Sequence, residues 1–355
     1  MDKSYVNRIL FVKRDHSPLP FFQELQKCNI SNICYLKRLN AFIGLFQKNS
    51  TDNFRYHPDL FQIEEDIEVH IHLPAKGKII SRTQVIPWGI ERIGADDSWD
   101  ISQGKGVKVA VVDTGIAFDH ADLTRNIKGG TNIINPLLSP YDHNGHGTHV
   151  AGTIGAVNNQ YGVVGVAPKV SIYAVKAFNK DGTAKLSNII KAIDWCIDKD
   201  MDIINMSFGF NETSPTFREA IVRCYQSGIL MVAASGNNGT QGRIEYPAEF
   251  QETIGVSSIN ENNQISSFST VGPQVDLAGP GENIISTWLN NSFREVSGTS
   301  MAVAHVSGAA ALLKSRYPRI SSNELSYLLQ KNAFFINASP ISQGAGLVNA
   351  KISSY

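Results

Sequence analysis

Excess charge of one sign, long apolar runs and paired cysteines are all missing from this sequence. Lys and Arg together number 32 in 355 residues, and so do Asp and Glu, so the formal net charge is zero. A chain without a basic surplus attracts polyanions weakly, which argues against nucleic acid as the main partner. No stretch approaches the ~18 apolar residues of a membrane-spanning helix, so we expect no membrane partner either.

Cysteine is scarce, and none of the four residues stands in CxxC spacing: Cys28, Cys34, Cys196 and Cys224. A disulfide framework is therefore not expected. A secretion signal is also missing as written, because the only continuous apolar run near the N-terminus is Ile9–Val12 and a signal needs 7–15 such residues. We expect a cytoplasmic location for the chain as written, with secretion kept open.

Glycine is rare at one end of the chain. Of 29 glycines, only Gly44 and Gly77 precede residue 83. Such a step in composition predicts two differently built units, a small one over residues 1–75 and a large one over residues 84–355. The polar residues 76–83 would link them.

The large unit alternates short apolar strands with helical periodicity. Near-continuous apolar runs are typical of parallel strands covered on both faces. They occur at Val107–Val112, Ser171–Phe178, Ile203–Phe208, Gly228–Ala234 and Thr253–Ile259. Helices are predicted after Ser187 as a cap, over Thr216–Tyr225 and over Thr299–Arg316. This pattern predicts an α/β fold with a mostly parallel, doubly wound sheet.

The small unit has a different order of elements. Strands are predicted at Val6–Val12, Ile33–Leu36, Ala41–Phe46 and Phe61–Ile71. Helices are predicted at Phe21–Cys28 and, more weakly, near Asp52–Asp59. The order β-α-β-β-α-β indicates a small ferredoxin-like α+β domain.

Three local motifs carry residue types used in nucleophilic catalysis. Asp113 ends a predicted strand in VAVVDTG, His146 lies between glycines in HNGHGTHVAGT, and Ser300 opens a helix in SGTSMA. A serine nucleophile needs a base to take its proton, and the base needs a carboxylate to fix its tautomer. The chain order Asp, His, Ser is one of several in which this geometry occurs.

With these motifs the region from about Gln84 to the C-terminus resembles the subtilisin-like serine proteases, the subtilases. The resemblance implies a serine endopeptidase with Asp113 as orienting carboxylate, His146 as general acid/base and Ser300 as nucleophile. It also implies that Asn237, in AASGNNG, donates to the oxyanion. A metal site at the H-x-x-H-x-x-H spacing is disfavoured because the HExxH glutamate is absent.

The resemblance further implies two strands that bind an extended peptide substrate. They include Gly182, Thr183 and Ala184 in DGTA, and Ser207, Phe208 and Gly209 in SFG. Phe210 stands where the family usually has a second glycine, and Glu245 stands at a usually small position on the floor of the primary pocket. We hypothesise that Glu245 favours a basic residue before the scissile bond, the alternative being that it turns out to solvent.

Calcium is the cofactor that the resemblance implies. Three side chains and three main-chain carbonyls match the family's all-oxygen ligand set: Gln84, Asp122 and Asn159, with Val157, Tyr161 and Val163. The ion would be structural, and we expect a monomer.

The small unit resembles, more loosely, the subtilase propeptide, and Glu64–Asp66 matches that unit's acidic segment. The resemblance implies an intramolecular chaperone and inhibitor that is cut off between Leu73 and Thr83 in a self-processing precursor. Two other functions stay open at this stage. One is a catalytically silent binding or scaffold protein on the same fold, and the other is an esterase, which the missing GxSxG motif disfavours.

Overall fold

The computed structural model describes residues 5–28, 30–48, 54–71 and 83–352. The strands are β1 (Tyr5–Val12), β2 (Ser31–Leu36), β3 (Ala41–Gln47), β4 (Leu60–Glu65), β5 (Glu68–His70), β6 (Lys108–Asp113), β7 (Ile127–Asn132), β8 (Ser171–Lys176), β9 (Thr183–Lys185), β10 (Ile203–Met206), β11 (Leu230–Ala234), β12 (Ile254–Ile259), β13 (Leu277–Pro280), β14 (Ile284–Trp288) and β15 (Ser292–Val296). The helices are α1 (Pro18–Lys27), α2 (Trp88–Arg92), α3 (His146–Gly155), α4 (Leu186–Asp198), α5 (Pro215–Gln226), α6 (Thr299–Arg316), α7 (Ser322–Lys331) and α8 (Pro340–Gln343).

A seven-stranded sheet forms the centre of the large unit. Its strand order is β13-β12-β11-β10-β6-β8-β7, and every neighbouring pair is parallel. β11 and β12 are buried at every position, because helices cover both faces of the sheet. The predicted α/β fold is confirmed. The chain order reverses beside β6, and ligand sites in such sheets lie at that point, beyond the carboxyl ends of the strands.

The small unit is a four-stranded antiparallel sheet of order β2-β3-β1-β4, with α1 on one face. Alternate residues of β1 serve two cores. Leu10 and Val12 pack with Phe21 of α1, whereas Ile9 and Phe11 pack on the large unit, in one core with residues of α4 and α5 such as Ile193. The second half of β1 is therefore buried on both faces.

Three details of the prediction are wrong. The single strand expected at Phe61–Ile71 is two strands, β4 and β5, which belong to different sheets. Of the weak helix expected near Asp52–Asp59, the described part from residue 54 on forms turns, and residues 52 and 53 lie outside the described residues. Ser187 does not cap α4 but lies inside it, and its N–H and hydroxyl donate to Asp66 of the small unit.

The predicted linker and cleavage zone lie outside the described residues, except for Thr83. Thr83 forms an isolated bridge with Tyr161, and Val85 forms another with Val163. Cys196 and Cys224 are buried. Across the described ranges, no helix combines the length and apolarity that a bilayer span requires.

Candidate active site

The carboxyl end of β6 and the N-terminus of α3 bring Asp113 and His146 together. His146 Nδ1 lies 2.8 Å from Asp113 Oδ1 and 2.9 Å from Oδ2, and both side chains are buried. Gly147 allows this approach, because a Cβ there would collide with the Gly115 carbonyl and lie 3.1 Å from Asp113 Oδ1. The sequence HGTH thus places the imidazole directly against the strand end.

Asp142, which sequence reasoning missed, holds the start of α3. Its Oδ1 accepts from the N–H groups of Asn144 and Gly145, and its Oδ2 accepts from the N–H and the hydroxyl of Thr148. A carboxylate that satisfies the free N–H groups of a first helical turn stabilises the helix. His146 lies in this turn, so Asp142 fixes its backbone.

Ser300 lies in the first turn of α6, with its hydroxyl turned to the end of β10. Ser300 Oγ donates to the Ser207 carbonyl at 3.0 Å, and Ser207 Oγ donates to the Ser300 carbonyl at 3.1 Å. His146 Nε2 is buried, and nothing in the described part of the chain hydrogen-bonds to it. An imidazole nitrogen in this state is available to take a proton.

Asn237 follows β11 and is oriented by Thr299. Asn237 Oδ1 accepts from Thr299 N at 3.0 Å and from Thr299 Oγ1 at 2.8 Å. With its oxygen held in this way, the amide nitrogen faces Gly298, where an added Cβ would lie 3.3 Å from Nδ2. The amide donor thus lies beside the residues that lead into Ser300. Thr299 is a second residue that the motifs alone did not reveal.

Three histidines near this cleft differ in their electrostatics. Burial lowers the pKa of His146, but the charge of Asp113 and its hydrogen bond, with the charge of Asp142, raise it by more, so that the pKa lies above its ordinary value. Burial lowers the pKa of His149 to about 3 and that of His305 to about 4. Both are therefore neutral packing residues at ordinary pH. No group of three or more potential metal-ligating side chains occurs within the described ranges.

The two predicted substrate segments hold a strand of the small unit between them. β5 pairs antiparallel with β9, with Val69 opposite Ala184 and His70 opposite Thr183, and Ile71 N donates to the Gly182 carbonyl at 2.9 Å. On its other side His70 bridges Gly209. The cleft is thus able to bind an extended peptide through its backbone.

Side chains around the second segment divide between core and cleft. The Phe208 ring is buried against Phe178 at 5.2 Å, and the Phe210 ring packs on Phe217 at 5.2 Å. Both are core residues here, so Phe210 in place of the usual glycine adds its ring to the core. Glu245 is only 2% exposed, with its Oε1 accepting from Asn238 Nδ2 at 2.7 Å. The alternative in which Glu245 turns out to solvent is therefore wrong.

The predicted calcium ligands converge on one point. Four oxygens lie 3.0–3.3 Å from Gln84 Nε2, namely the carbonyls of Val157, Tyr161 and Val163 and the side-chain oxygen of Asn159. An amide has two hydrogens and cannot satisfy four acceptors. An all-oxygen cluster of this kind fits a hard cation such as calcium.

Asp122, the sixth predicted ligand, borders this cluster. Its Oδ1 accepts from Asn159 Nδ2, and its Oδ2 accepts from Val163 N, both at 2.9 Å. It is the one carboxylate among the six predicted ligands, with the other oxygens coming from amides and carbonyls. All six residues therefore belong to one loop cluster.

Comparison with known proteins agrees with this fold and cleft. The Subtilase family profile matches residues 104–347, more than half of the chain. The chain belongs to the subtilase family and is a serine endopeptidase.

Several curated relatives are similar over most of their length. A thermostable alkaline protease of Halalkalibacterium halodurans is 41% identical over 304 residues, which is 85% of this chain and 80% of the relative. Subtilisin DY of Bacillus licheniformis is 40% identical over 76% of this chain and 99% of its own length. Subtilisin E of Bacillus subtilis is 37% identical over 90% of this chain and 81% of its own.

Proposed function

We propose that this peptidase hydrolyses peptide bonds with Ser300 as nucleophile, His146 as general acid/base and Asp113 as orienting carboxylate. The observation that carries the proposal is the buried pair of His146 Nδ1 and Asp113, together with a His146 Nε2 to which none of the described residues hydrogen-bonds. Asp113 holds the proton on Nδ1, so that Nε2 is the basic nitrogen. Before it attacks, the Ser300 hydroxyl must give up its hydrogen bond to the Ser207 carbonyl and donate to His146 Nε2 instead.

The reaction then runs in two halves. Ser300 Oγ adds to the substrate carbonyl carbon while His146 takes its proton, and collapse of the intermediate expels the amine, which leaves with that proton. Water repeats both transfers and releases the acid from Ser300. The Asn237 amide and the Ser300 N–H at the start of α6 are the donors for the oxyanion, and they act because they are oriented before charge develops.

The small unit is proposed as the precursor's own inhibitor. β5 already occupies both edges of the cleft, as a substrate strand would. Its shared core with α4 and α5 holds it in place. We propose that the peptidase frees itself by cutting the chain after Ile71 and before Gln84, within the zone Leu73–Thr83.

A calcium ion is proposed for the oxygen cluster around Gln84. The convergence of four oxygens on a single amide nitrogen supports a cation at this position. Gln84, Asp122 and Asn159 would hold it with the carbonyls of Val157, Tyr161 and Val163. A bound ion would supply positive charge opposite Asp122, and its ligands would tie the loop to the segment that follows the cleavage zone.

Replacement of the nucleophile tests the proposed reaction. Ser300→Ala should leave the chain uncut at 38.9 kDa and unreactive toward a fluorophosphonate probe, because alanine lacks the hydroxyl that attacks the substrate and the probe. Ser267→Ala is the matched control, since Ser267 is an exposed serine outside the cleft, and it should mature and label normally. If Ser300→Ala matures on its own, another peptidase makes the cut. If the unchanged chain fails to label, it is a silent binding protein.

A further inference from the structure

We propose that Lys176 is a positioning residue for the reacting pair Asp113 and His146, because its buried ammonium group fixes Thr114 and offsets part of the negative charge of Asp113 and Asp142. The proposal rests on the serine peptidase function given above and adds a positively charged group to that same site. Lys176 lies outside the three motifs that carry the proposed reacting residues.

Lys176 is the last residue of β8, beside the carboxyl end of β6. In the parallel pairing of these two strands, Asp113 and Lys176 are register partners. Lys176 is only 7% exposed. Lysine is rarely buried to this extent unless other groups compensate for the water that its ammonium group loses. The groups that compensate here lie around the end of β6.

The ammonium group of Lys176 holds the residue that connects the proposed carboxylate to the proposed base. Lys176 Nζ donates to the Thr114 carbonyl. Thr114 N donates to Asp113 Oδ1 at 2.7 Å, and Thr114 Oγ1 accepts from the N–H of Gly147 at 3.0 Å. Gly147 directly follows His146 in the first turn of α3. Through Thr114, Lys176 therefore fixes both the carboxylate and the turn that carries the imidazole.

Lys176 and His146 interact with the same two buried carboxylates. Burial lowers the pKa of Lys176, whereas the charges of Asp142, from the loop before α3, and of Asp113, from β6, raise it. The same two charges raise the pKa of His146. A further titratable neighbour of His146 is His149 of α3, which is neutral at ordinary pH. The charges around the imidazole are therefore two carboxylates and one ammonium group.

The positive charge of Lys176 acts on the pH at which His146 becomes a base. Two carboxylates without a counter-charge would hold the imidazolium proton strongly. With Lys176 beside them, their combined negative charge is partly offset, so His146 loses its proton at a lower pH than the carboxylates alone would allow. Buried charges are screened little by salt, so this effect should persist at high ionic strength.

The test compares variants of Lys176 in the processed protein obtained from the full chain. kcat/KM would be measured between pH 5 and 9, at low and at high salt, on a peptide without titratable groups. Lys176→Met removes the ammonium group with little change in side-chain length, and the midpoint of the acid limb should rise by roughly half a pH unit to one unit. Lys176→Arg keeps a permanent positive charge, so it should keep the midpoint of the unchanged protein even where its larger head group lowers kcat.

A lysine that acted through packing alone would give a different result. Lys176→Met would then lower kcat or Tm and leave the midpoint where it was, and this outcome would overturn the proposal, as would equal shifts in the Met and Arg variants. Lys169→Met is the matched control, because Lys169 is exposed and lies before the opposite, amino end of β8. It should leave the midpoint unchanged, and a shift as large as that of Lys176→Met would also contradict the proposal.

A second variant and a second measurement cover the case in which Lys176→Met does not fold. Lys176→Gln removes the charge but keeps an N–H donor for the Thr114 carbonyl, and it should show the same upward shift. If neither variant folds, heteronuclear NMR of the lysine side chains of the unchanged protein still decides. We expect one ammonium group at pH 7 that is protected from exchange with water, and a neutral amine or free exchange at Lys176 would overturn the proposal. Failure of the peptidase function itself gives a different result, namely no hydrolysis of any peptide and no fluorophosphonate labelling.

Discussion

At His146 burial and charge oppose each other. Burial favours the neutral imidazole, whereas the carboxylate of Asp113 on Nδ1 favours the cation, and the carboxylate prevails. In the proposed reaction, the side chain of Asp113 sets both the tautomer of His146 and the pH range in which His146 is a base.

The raised pKa of His146 predicts the acid limb of the activity profile. Only neutral His146 takes the Ser300 proton, so activity is lost as pH falls through that raised pKa. We expect kcat/KM, measured between pH 5 and 9 on a peptide without titratable groups, to rise with a midpoint above 6.5, the ordinary pKa of histidine. Removing the small unit should not reverse the sign, because exposure to water weakens the one effect that lowers the pKa. A profile still flat below pH 6 would contradict this assignment.

Sequence reasoning named the proposed reacting residues but not the residues that position them. Asp113, His146 and Ser300 each lie in a local motif at a strand end or helix start, and such a motif is readable without tertiary structure. Asp142 and Thr299 act through contacts that form only when a turn folds back onto α3, or when α6 meets the loop after β11. Aspartate in a turn and threonine at a helix start are both common, so nothing in the sequence distinguished these two residues.

The starts of α4 and α5 are completed by side chains from the small unit. Glu64 Oε2 accepts from Ser214 Oγ and Thr216 Oγ1, and Asp66 accepts from the N–H and the hydroxyl of Ser187. Carboxylates at helix N-termini satisfy free donors and oppose the helix dipole. The small unit therefore adds hydrogen bonds at the starts of these two helices that the large unit alone does not contain.

Asp66→Asn should weaken this capping at α4. In a Ser300→Ala background, which keeps the chain whole, we expect a loss of about 1 kcal/mol in the free energy of unfolding by urea, because a buried cap loses its charge. Glu65→Gln is the control, since its side chain is 65% exposed in a surface pair with Arg8 and should change stability by less than ~0.5 kcal/mol. Equal effects of the two variants would show that Asp66 does not cap α4.

Element prediction succeeded where periodicity is local and failed where the partner is distant. α6 was predicted to the residue, because small and apolar residues predominate between Thr299 and Arg316. The break between β4 and β5 was missed, because nearly every second residue from Phe61 to Ile71 is apolar, as along a single strand. Only pairing with β9, more than a hundred residues away, takes Glu68–His70 out of the small sheet.

At the scale of the whole molecule, calcium removal is the sharpest test of the oxygen cluster. An ion held at about a thousand times its Kd adds roughly 4 kcal/mol, so EDTA should lower the Tm of the processed protein by about 10 °C. Added calcium should restore it, whereas magnesium should not, because magnesium rarely gives up its water for such a cage.

Variants connect the effect of EDTA to this cluster. Asp122→Asn should abolish most of the response, because the cluster loses its carboxylate. Asp119→Asn, an exposed residue three positions earlier, should respond as the unchanged protein does. A Tm that EDTA does not change would remove calcium from the proposal.

The division of the chain near residue 80 and the location of the protein in the cell stay predictions.

The cleft edges that hold β5 have a further consequence for the lifetime of the free peptidase. Backbone pairing at Thr183, Ala184 and Gly209 requires only that the bound segment be extended, whatever its side chains. Once β5 has gone, a frayed segment of another copy competes for the same edges. Activity in storage should thus decay as a bimolecular process, faster in concentrated than in dilute solution, at a rate set by how often local segments open.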